Sequence, residues 1–243
     1  MKLKEAIAEI GADEANVVAK NLAVKIGIDW DAGAGVVFSA VLNDADRVPG
    51  NIGAKSDNET SAIRKWLERY KKGFDGRASQ RISNAPGTVS DPVIDEMIGA
   101  RLTELTQGDL NRIAFSHRLS MSAENILGLI LEEYLSEKIQ ESGWCCAWGE
   151  TVRSVDFVHA DGRLLQIKNR SNSENSSSSS VRDGTKIQKW FRIKADRIEY
   201  MWNGLNDICG VSCLSEESFV SFVKDLIERN PNCLAVEKDS PWQ

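Results

Sequence analysis

The stretch Asp156-Phe-Val-His-Ala-Asp-Gly-Arg-Leu-Leu-Gln166-Ile-Lys168 decides the reading of this chain. Asp161-Gly162 between two apolar runs is a strong hairpin signal, so a strand over 154–160, a tight turn and a strand over 163–169 are expected. Side chains alternate along a strand, which places Gln166 and Lys168 on one face and Ile167 on the other. Val155 and Phe157 alternate with Asp156 in the same way. A carboxylate between two such neighbours is costly unless a cation pairs with it. Asp156, the Gln166 amide oxygen and the Ile167 carbonyl are hard oxygen donors of the kind magnesium takes while keeping several waters. Lys168, two residues on, is placed to orient an attacking water and to stabilise charge on a reacting phosphate. The chemistry expected of this hairpin is metal-assisted phosphodiester hydrolysis, the plainer reading being a hairpin with ordinary surface Asp, Gln and Lys.

Outward from the hairpin, the second half of the chain reads as helix, three strands, connection, strand, helix. Ser122 is a candidate cap for a helix with an apolar stripe of Ile126, Leu127, Ile130, Leu131, Tyr134, Leu135 and Ile139. Strands are expected over 144–152, 154–160, 163–169 and 208–214, with a closing helix over 216–229. The fold class expected is α/β, a mixed sheet in an αβββαβ core, preceded by a mainly helical region over 1–118; the core itself would occupy 119–243. Within the helical region, Gly11 and Gly27 mark helix ends, a third helix spans 59–72, and separate helices follow from Asp91 to Thr106 and over 109–118. The third helix carries Ile63, Trp66, Leu67 and Tyr70 on one face. Its other face bears Arg64, Lys65, Arg69, Lys71 and Lys72, a solvated face or one that meets phosphates. This region reads as DNA-contacting or dimerising. Ala32-Gly-Ala-Gly is too short a glycine signal for a nucleotide loop and reads as a turn.

Along the helix before the hairpin, Glu124, Gly128 and Glu132 fall on one edge of the apolar stripe, with Glu133 on the far side. Gly128 would let that helix approach a sheet closely. Glu124 and Glu132 thus share one edge of this helix, where an exposed helical glutamate is the plainer reading. His159 and His117 stand apart from any ligand or triad spacing and read as structural.

The chain carries 30 Lys and Arg against 36 Asp and Glu, a net charge of −6, so it is not coated in basic charge. Its basic residues are nonetheless concentrated: six Lys or Arg against Asp183 and Asp196 lie between Arg182 and Arg197. A serine-rich tract precedes this segment and leaves the Lys168 strand directly. Asn169, Arg170, Asn172, Glu174, Asn175, Arg182, Lys186, Lys189 and Arg192 are the candidate DNA-binding residues. The 42% of apolar residues suffices for a packed core, and five cysteines without Cys-x-x-Cys spacing argue against a disulfide frame or a zinc site. With no long apolar run and no secretory pattern at Met1-Lys-Leu-Lys-Glu, a cytoplasmic location is expected.

Val155-Asp156 followed by Gln166-Ile-Lys168 resembles the motif of the PD-(D/E)xK nuclease superfamily, an acid on one strand and (Asp/Glu)-x-Lys on the next. Valine stands where proline is frequent, and glutamine replaces the second acid, a Gln-x-Lys variant that removes one negative charge. Superfamily members often bring a glutamate from the preceding helix, which points to Glu124 or Glu132. The run from Ser122 to Arg192 more specifically resembles the SinI-type family of type II restriction endonucleases. It is carried by Ala123-Glu-Asn-Ile-Leu-Gly128, Leu164-Leu-Gln-Ile-Lys-Asn-Arg-Ser-Asn-Ser-Glu-Asn-Ser-Ser-Ser-Ser and Gly184-Thr-Lys-Ile-Gln-Lys-Trp190. The resemblance implies Mg2+-dependent cleavage of both strands of double-stranded DNA at a short palindrome, GGWCC for the family. A homodimer and a cognate DNA methyltransferase are the partners it implies. A repair or modification-dependent nuclease, and an inactive DNA-binding module on the same core, are the alternatives.

Overall fold

The computed structural model describes residues 1–52, 56–84, 91–171 and 186–242. Eight α-helices lie among them: α1 Leu3–Ile10, α2 Ala12–Ile26, α3 Gly35–Asn43, α4 Glu59–Asp75, α5 Pro92–Arg101, α6 Gln107–Ile139, α7 Trp202–Cys209 and α8 Glu216–Arg229. Four strands, β1 Trp144–Cys146, β2 Phe157–His159, β3 Leu164–Arg170 and β4 Ile187–Ile193, form one sheet in the order β1-β2-β3-β4. The first two pairings are antiparallel and β3–β4 is parallel, so the sheet is mixed and the α/β class holds. None of the described helices is long and apolar enough to cross a membrane.

Several elements follow directly from local chemistry. Gly11 and Gly27, at φ +82 and +71, end α1 and α2 in the left-handed half of backbone space where side chains are strained. Ser215 caps α8 by accepting from the Ser218 N–H. The hairpin turns at Asp161-Gly162 with Gly162 at φ +90, and the Asp161 carboxylate accepts from the Arg163 N–H at 3.0 Å. His159 locks the same corner, its ring contacting the Ser142 carbonyl at 2.9 Å and the Asp161 carboxylate at 2.7 Å. His117 sits exposed on α6.

Four expectations are corrected. Residues 109–139 form a single helix, because no proline or glycine interrupts 109–127 and Thr106 and Asp109 close a capping box at its start. Ser122 is a buried position inside that helix, and a division at 118/119 would fall within it. The strand expected over 208–214 is the end of α7 and its left-handed Gly210 cap; the fourth strand is instead β4, in the basic segment. The strand expected over 154–160 shortens to β2, because Glu150 and Ser154 take positive φ and turn the chain just before it. Gly128 meets nothing: a Cβ there would find no atom within 4 Å, so it is not a close-approach glycine. The turn expected at residues 32–35 is present as a kink at Gly33, at φ +133, which leads into α3.

The hydrophobic core is continuous from Leu3 to Cys233. Ile126, Ile130, Leu131, Tyr134, Leu135 and Ile139 bury the second half of α6, and the Tyr134 ring meets those of Trp202, Phe219 and Phe222 on α7 and α8. On the N-terminal side Phe38 of α3 packs edge-on to Trp66 of α4 at 4.8 Å, and Trp66 stacks on Tyr70. The β1–β2 loop is fastened to α4 by three contacts. Trp66 Nε1 donates to the Thr151 carbonyl at 2.9 Å, Arg69 Nε donates to the Gly149 carbonyl at 2.6 Å, and Gly73 touches Gly149 backbone to backbone. A Cβ on Gly73 would lie 2.2 Å from the Gly149 nitrogen.

Two glycine-to-alanine exchanges separate packing from helix propensity. Alanine is favoured over glycine in a helix by about 1 kcal/mol, so Gly128→Ala, facing open space, should raise the denaturant midpoint. Gly73→Ala should lower stability by about 2 kcal/mol or more, because the backbone of the β1–β2 loop must be displaced. Equal responses in urea unfolding would show that the glycine contact does not hold the loop.

Candidate active site

The groove beside the hairpin encloses about 340 Å³ and is lined by residues 49–51, Arg69, Glu150, residues 152–156, Gln166 and Lys168. Asp156 enters it from the residue just before β2. Although it lies outside the strand, its N–H donates to the Leu165 carbonyl at 2.9 Å and its carbonyl accepts from Ala147 at 2.8 Å. The side chain is fixed as well, one carboxylate oxygen accepting from the Ile167 N–H at 2.7 Å. A strand residue presents its N–H and C=O to the same side, so the Ile167 carbonyl faces the Asp156 edge too. Gln166 and Lys168 are neighbours on one face of β3; Gln166 is buried and Lys168 half-buried.

The electrostatics bring in one helix residue. Burial, then the negative charges of Asp156 and Glu150, push the Glu132 carboxyl well above the usual range, with Lys168 pulling the other way. Burial also raises Asp156, opposed by the Ile167 N–H and by Lys168, and reinforced by Glu150. Two desolvated carboxylates, one raised further by the charge of the other, are what a bound cation relieves. Glu150 contributes to this field, although its carboxylate is paired with Arg69 at 3.0 Å. Among the described residues no three His, Cys, Asp or Glu side chains cluster around one point. The donor set is therefore two carboxylates, one amide and one backbone carbonyl, all oxygen, which suits a hard divalent cation that retains waters.

Thus Asp156, Gln166, Lys168 and Glu132 come together. Glu124 does not join them: it is exposed, two turns along α6, roughly 12 Å at 1.5 Å per residue. Glu133, on the far side of the helix as read, is buried and structural, paired with Arg77 and accepting from the Ser79 N–H at 2.8 Å.

The DNA-binding candidates separate by face. The β3–β4 register pairs Gln166 with Lys189 and Lys168 with Phe191, so Lys189 and, two beyond Lys168, Arg170 lie on the groove face. Asn169 and Arg192 fall on the opposite face and bond each other at 2.9 Å, while Arg192 also pairs with Glu216. These two hold β3, β4 and α8 together. Lys186 is exposed just ahead of β4. Asn172, Glu174, Asn175 and Arg182 lie outside the described residues.

Asn51, Glu150 and Arg153 line the groove without any sequence signal, because each arrives on a turn whose course depends on contacts remote in the chain. Arg69 was legible as part of the basic face of α4. Its guanidinium bonds the Gly149 carbonyl, Asn51 Oδ1 at 2.9 Å and Glu150.

A family model described as SinI restriction endonuclease matches residues 19–229. The type II restriction enzyme Eco47I of Escherichia coli is 41% identical over 166 residues, 66% of this chain and 72% of that protein. The type II restriction enzyme SinI of Salmonella infantis is 38% identical over 200 residues, 79% of this chain and 86% of its own length. The family match contains every residue that lines the groove, together with Glu132 beside it, and the chain belongs to the SinI restriction endonuclease family of type II restriction enzymes.

Proposed function

We propose that this restriction endonuclease hydrolyses both strands of double-stranded DNA at a short palindrome by a Mg2+-dependent reaction centred on Asp156, Gln166, Lys168 and Glu132. The observation that carries this reading is the meeting of two desolvated carboxylates with a lysine beside a fixed strand edge. Asp156, Glu132, the Gln166 amide oxygen and the Ile167 carbonyl would hold the magnesium ion. When bound, it supplies Lewis-acid polarisation of the phosphate. Glu132 provides the negative charge that glutamine at 166 lacks. Lys168 offers an ammonium to a phosphate oxygen, orients the attacking water and stabilises the charge that builds as a phosphodiester P–O bond breaks. The products are a phosphate monoester and a hydroxyl. Arg170, Lys186 and Lys189 lie along the same strand pair as contacts to the DNA, and GGWCC is the target that the family resemblance supplies. The enzyme acts in the cytoplasm, alongside a methyltransferase that protects the host's own sites.

Each chain supplies one such groove, whereas a duplex has two strands, so the working unit is a two-fold homodimer. The face proposed for the second copy is α5 with the start of α6. No residue of α5 is buried, and Val93, Ile94 and Met97 are each more than half exposed. A ten-residue helix is marginal on its own in water. Asp91, Asp95 and Glu96 stand toward its N-terminal end and Arg101 in its last turn. Two copies of α5 packed antiparallel about a two-fold axis set the acidic end of each against the basic end of the other, with opposed helix dipoles.

With unmethylated plasmid and magnesium, the protein should release discrete fragments. Smearing or nicking would support a repair enzyme, and binding without cutting an inactive module. Asp156→Ala and Lys168→Ala should each lower cleavage by about a thousandfold or more, and full activity in either would sink the site. Glu132→Ala should cost at least about a hundredfold, whereas Glu124→Ala should leave the rate unaltered; the reverse pattern would move the metal role to Glu124. Ile94→Asp with Met97→Asp should convert dimer to monomer in sedimentation velocity, and an unchanged mass would remove α5 from the interface.

A further inference from the structure

We infer that Arg153 is a phosphate-binding residue of the groove, closing its guanidinium on the DNA backbone next to Lys168. The inference rests on the nuclease reading above and adds a residue that no motif marks.

Besides Arg170 further along β3, three arginines among the described residues adjoin the groove, and two of these are engaged within the protein. Arg47 is 5% exposed and pairs with Asp44 at 3.1 Å. Arg69 has its fork filled by Gly149, Asn51 and Glu150. Arg153 is the reverse case. Its side chain is exposed, lines the groove with Asp156 and Lys168, and has no hydrogen bond or ion pair among the described residues. Its backbone is held on both sides: the N–H donates to the Arg47 carbonyl at 2.8 Å, and its carbonyl accepts from Arg47 Nη1 at 3.5 Å. The next residue, Ser154, sits at φ +60, a conformation that a non-glycine residue keeps only where its surroundings impose it. A fixed base carrying an open guanidinium is suited to bidentate recognition of a phosphate, since the residue is already in place before the anion arrives. The protein's net charge is −6, and Glu132, Glu150 and Asp156 surround this groove, so the approach of a polyanion needs cations at the rim. Lys168 is one such cation, and Arg153, with its guanidinium open, is another among the described residues that line the groove.

The test compares wild type with Arg153→Ala, Arg153→Lys and Asp156→Ala. Binding is measured in EDTA, with one duplex containing GGWCC and one scrambled duplex, over a range of salt concentrations. A lost phosphate contact should weaken Arg153→Ala about tenfold on both duplexes and reduce the slope of log K against log salt by about 1. Arg153→Lys should recover the slope and only part of the affinity, because lysine lacks the fork. Wild-type affinity and slope in Arg153→Ala would overturn the inference, as would a loss confined to the GGWCC duplex, which would mark a base contact. Asp156→Ala keeps the two readings apart: if it still cleaves in magnesium, the nuclease site is wrong, and if it binds but does not cleave, only the Arg153 outcome decides.

Discussion

The backbone contact between Gly73 of α4 and Gly149 of the β1–β2 loop is the constraint on which the site depends. At that point two chain segments pass with no room for a side chain on either: a Cβ on Gly149 would lie 2.4 Å from the Arg69 carbonyl. Arg69 and Trp66, one and two turns earlier on α4, then bond the carbonyls of Gly149 and Thr151. The loop is thereby drawn onto the helix, and its departure from the helix through left-handed Glu150 and Ser154 delivers Val155 to the core and Asp156 to the groove. Strain at two non-glycine residues costs of order 1–3 kcal/mol each and persists only where packing over-determines it. Here the packing is an indole, a guanidinium and a glycine pair.

In the site proposed above, a neutral glutamine stands where the resembled motif has an acid. Gln166 on β3 would offer an oxygen without charge, and Glu132 lies on the second half of α6, whose buried stripe fixes its rotation. Burial holds both Glu132 and Asp156 above the ordinary carboxylate range, and the negative charge of Asp156 raises Glu132 further. Their stability contribution has a definite sign: raised acid pKa values mean that the folded state favours the protonated forms, so ionising the pair costs stability as pH rises through that interval. A divalent cation reverses this by favouring both charges. This is the electrostatic behaviour that the proposed metal site calls for.

The hairpin was legible in the sequence because its information is local. Asp161-Gly162 demands a tight turn, and the alternation of Leu165, Gln166, Ile167 and Lys168 sorts faces whatever surrounds them. The same held for α1, α2, α4 and α8, whose caps and apolar stripes lie within the elements themselves. The misreadings have physical reasons. A serine resembles a cap when its backbone geometry is unknown, so α6 was divided in two. Ile208 to Leu214 is apolar enough for a strand, but Cys209 and Leu214 bury themselves as part of a short helix and the turn after it. In the basic segment, charge concealed a strand: Trp190 buries inward while Lys189 stays on the groove face, an alternation that was read as electrostatics alone.

By itself, then, the sequence determined the family, and it supplied the candidate groups: an acid, an amide and a lysine at strand spacing, and a helix with two candidate glutamates. Only the tertiary structure sets Glu132 within the field of Asp156 and Lys168 and leaves Glu124 exposed, because their positions depend on how α6 lies against the sheet. Only the structure separated the basic residues into those facing the groove and those, like Arg192, that bind the fold together, because that follows from the β3–β4 register. It alone brought Asn51, Arg69, Glu150 and Arg153 to the site. Arg69, Glu150 and Arg153 are held by contacts between residues 80 to 106 apart in the chain, and Asn51 by one 18 residues away; local propensity carries no information over such distances.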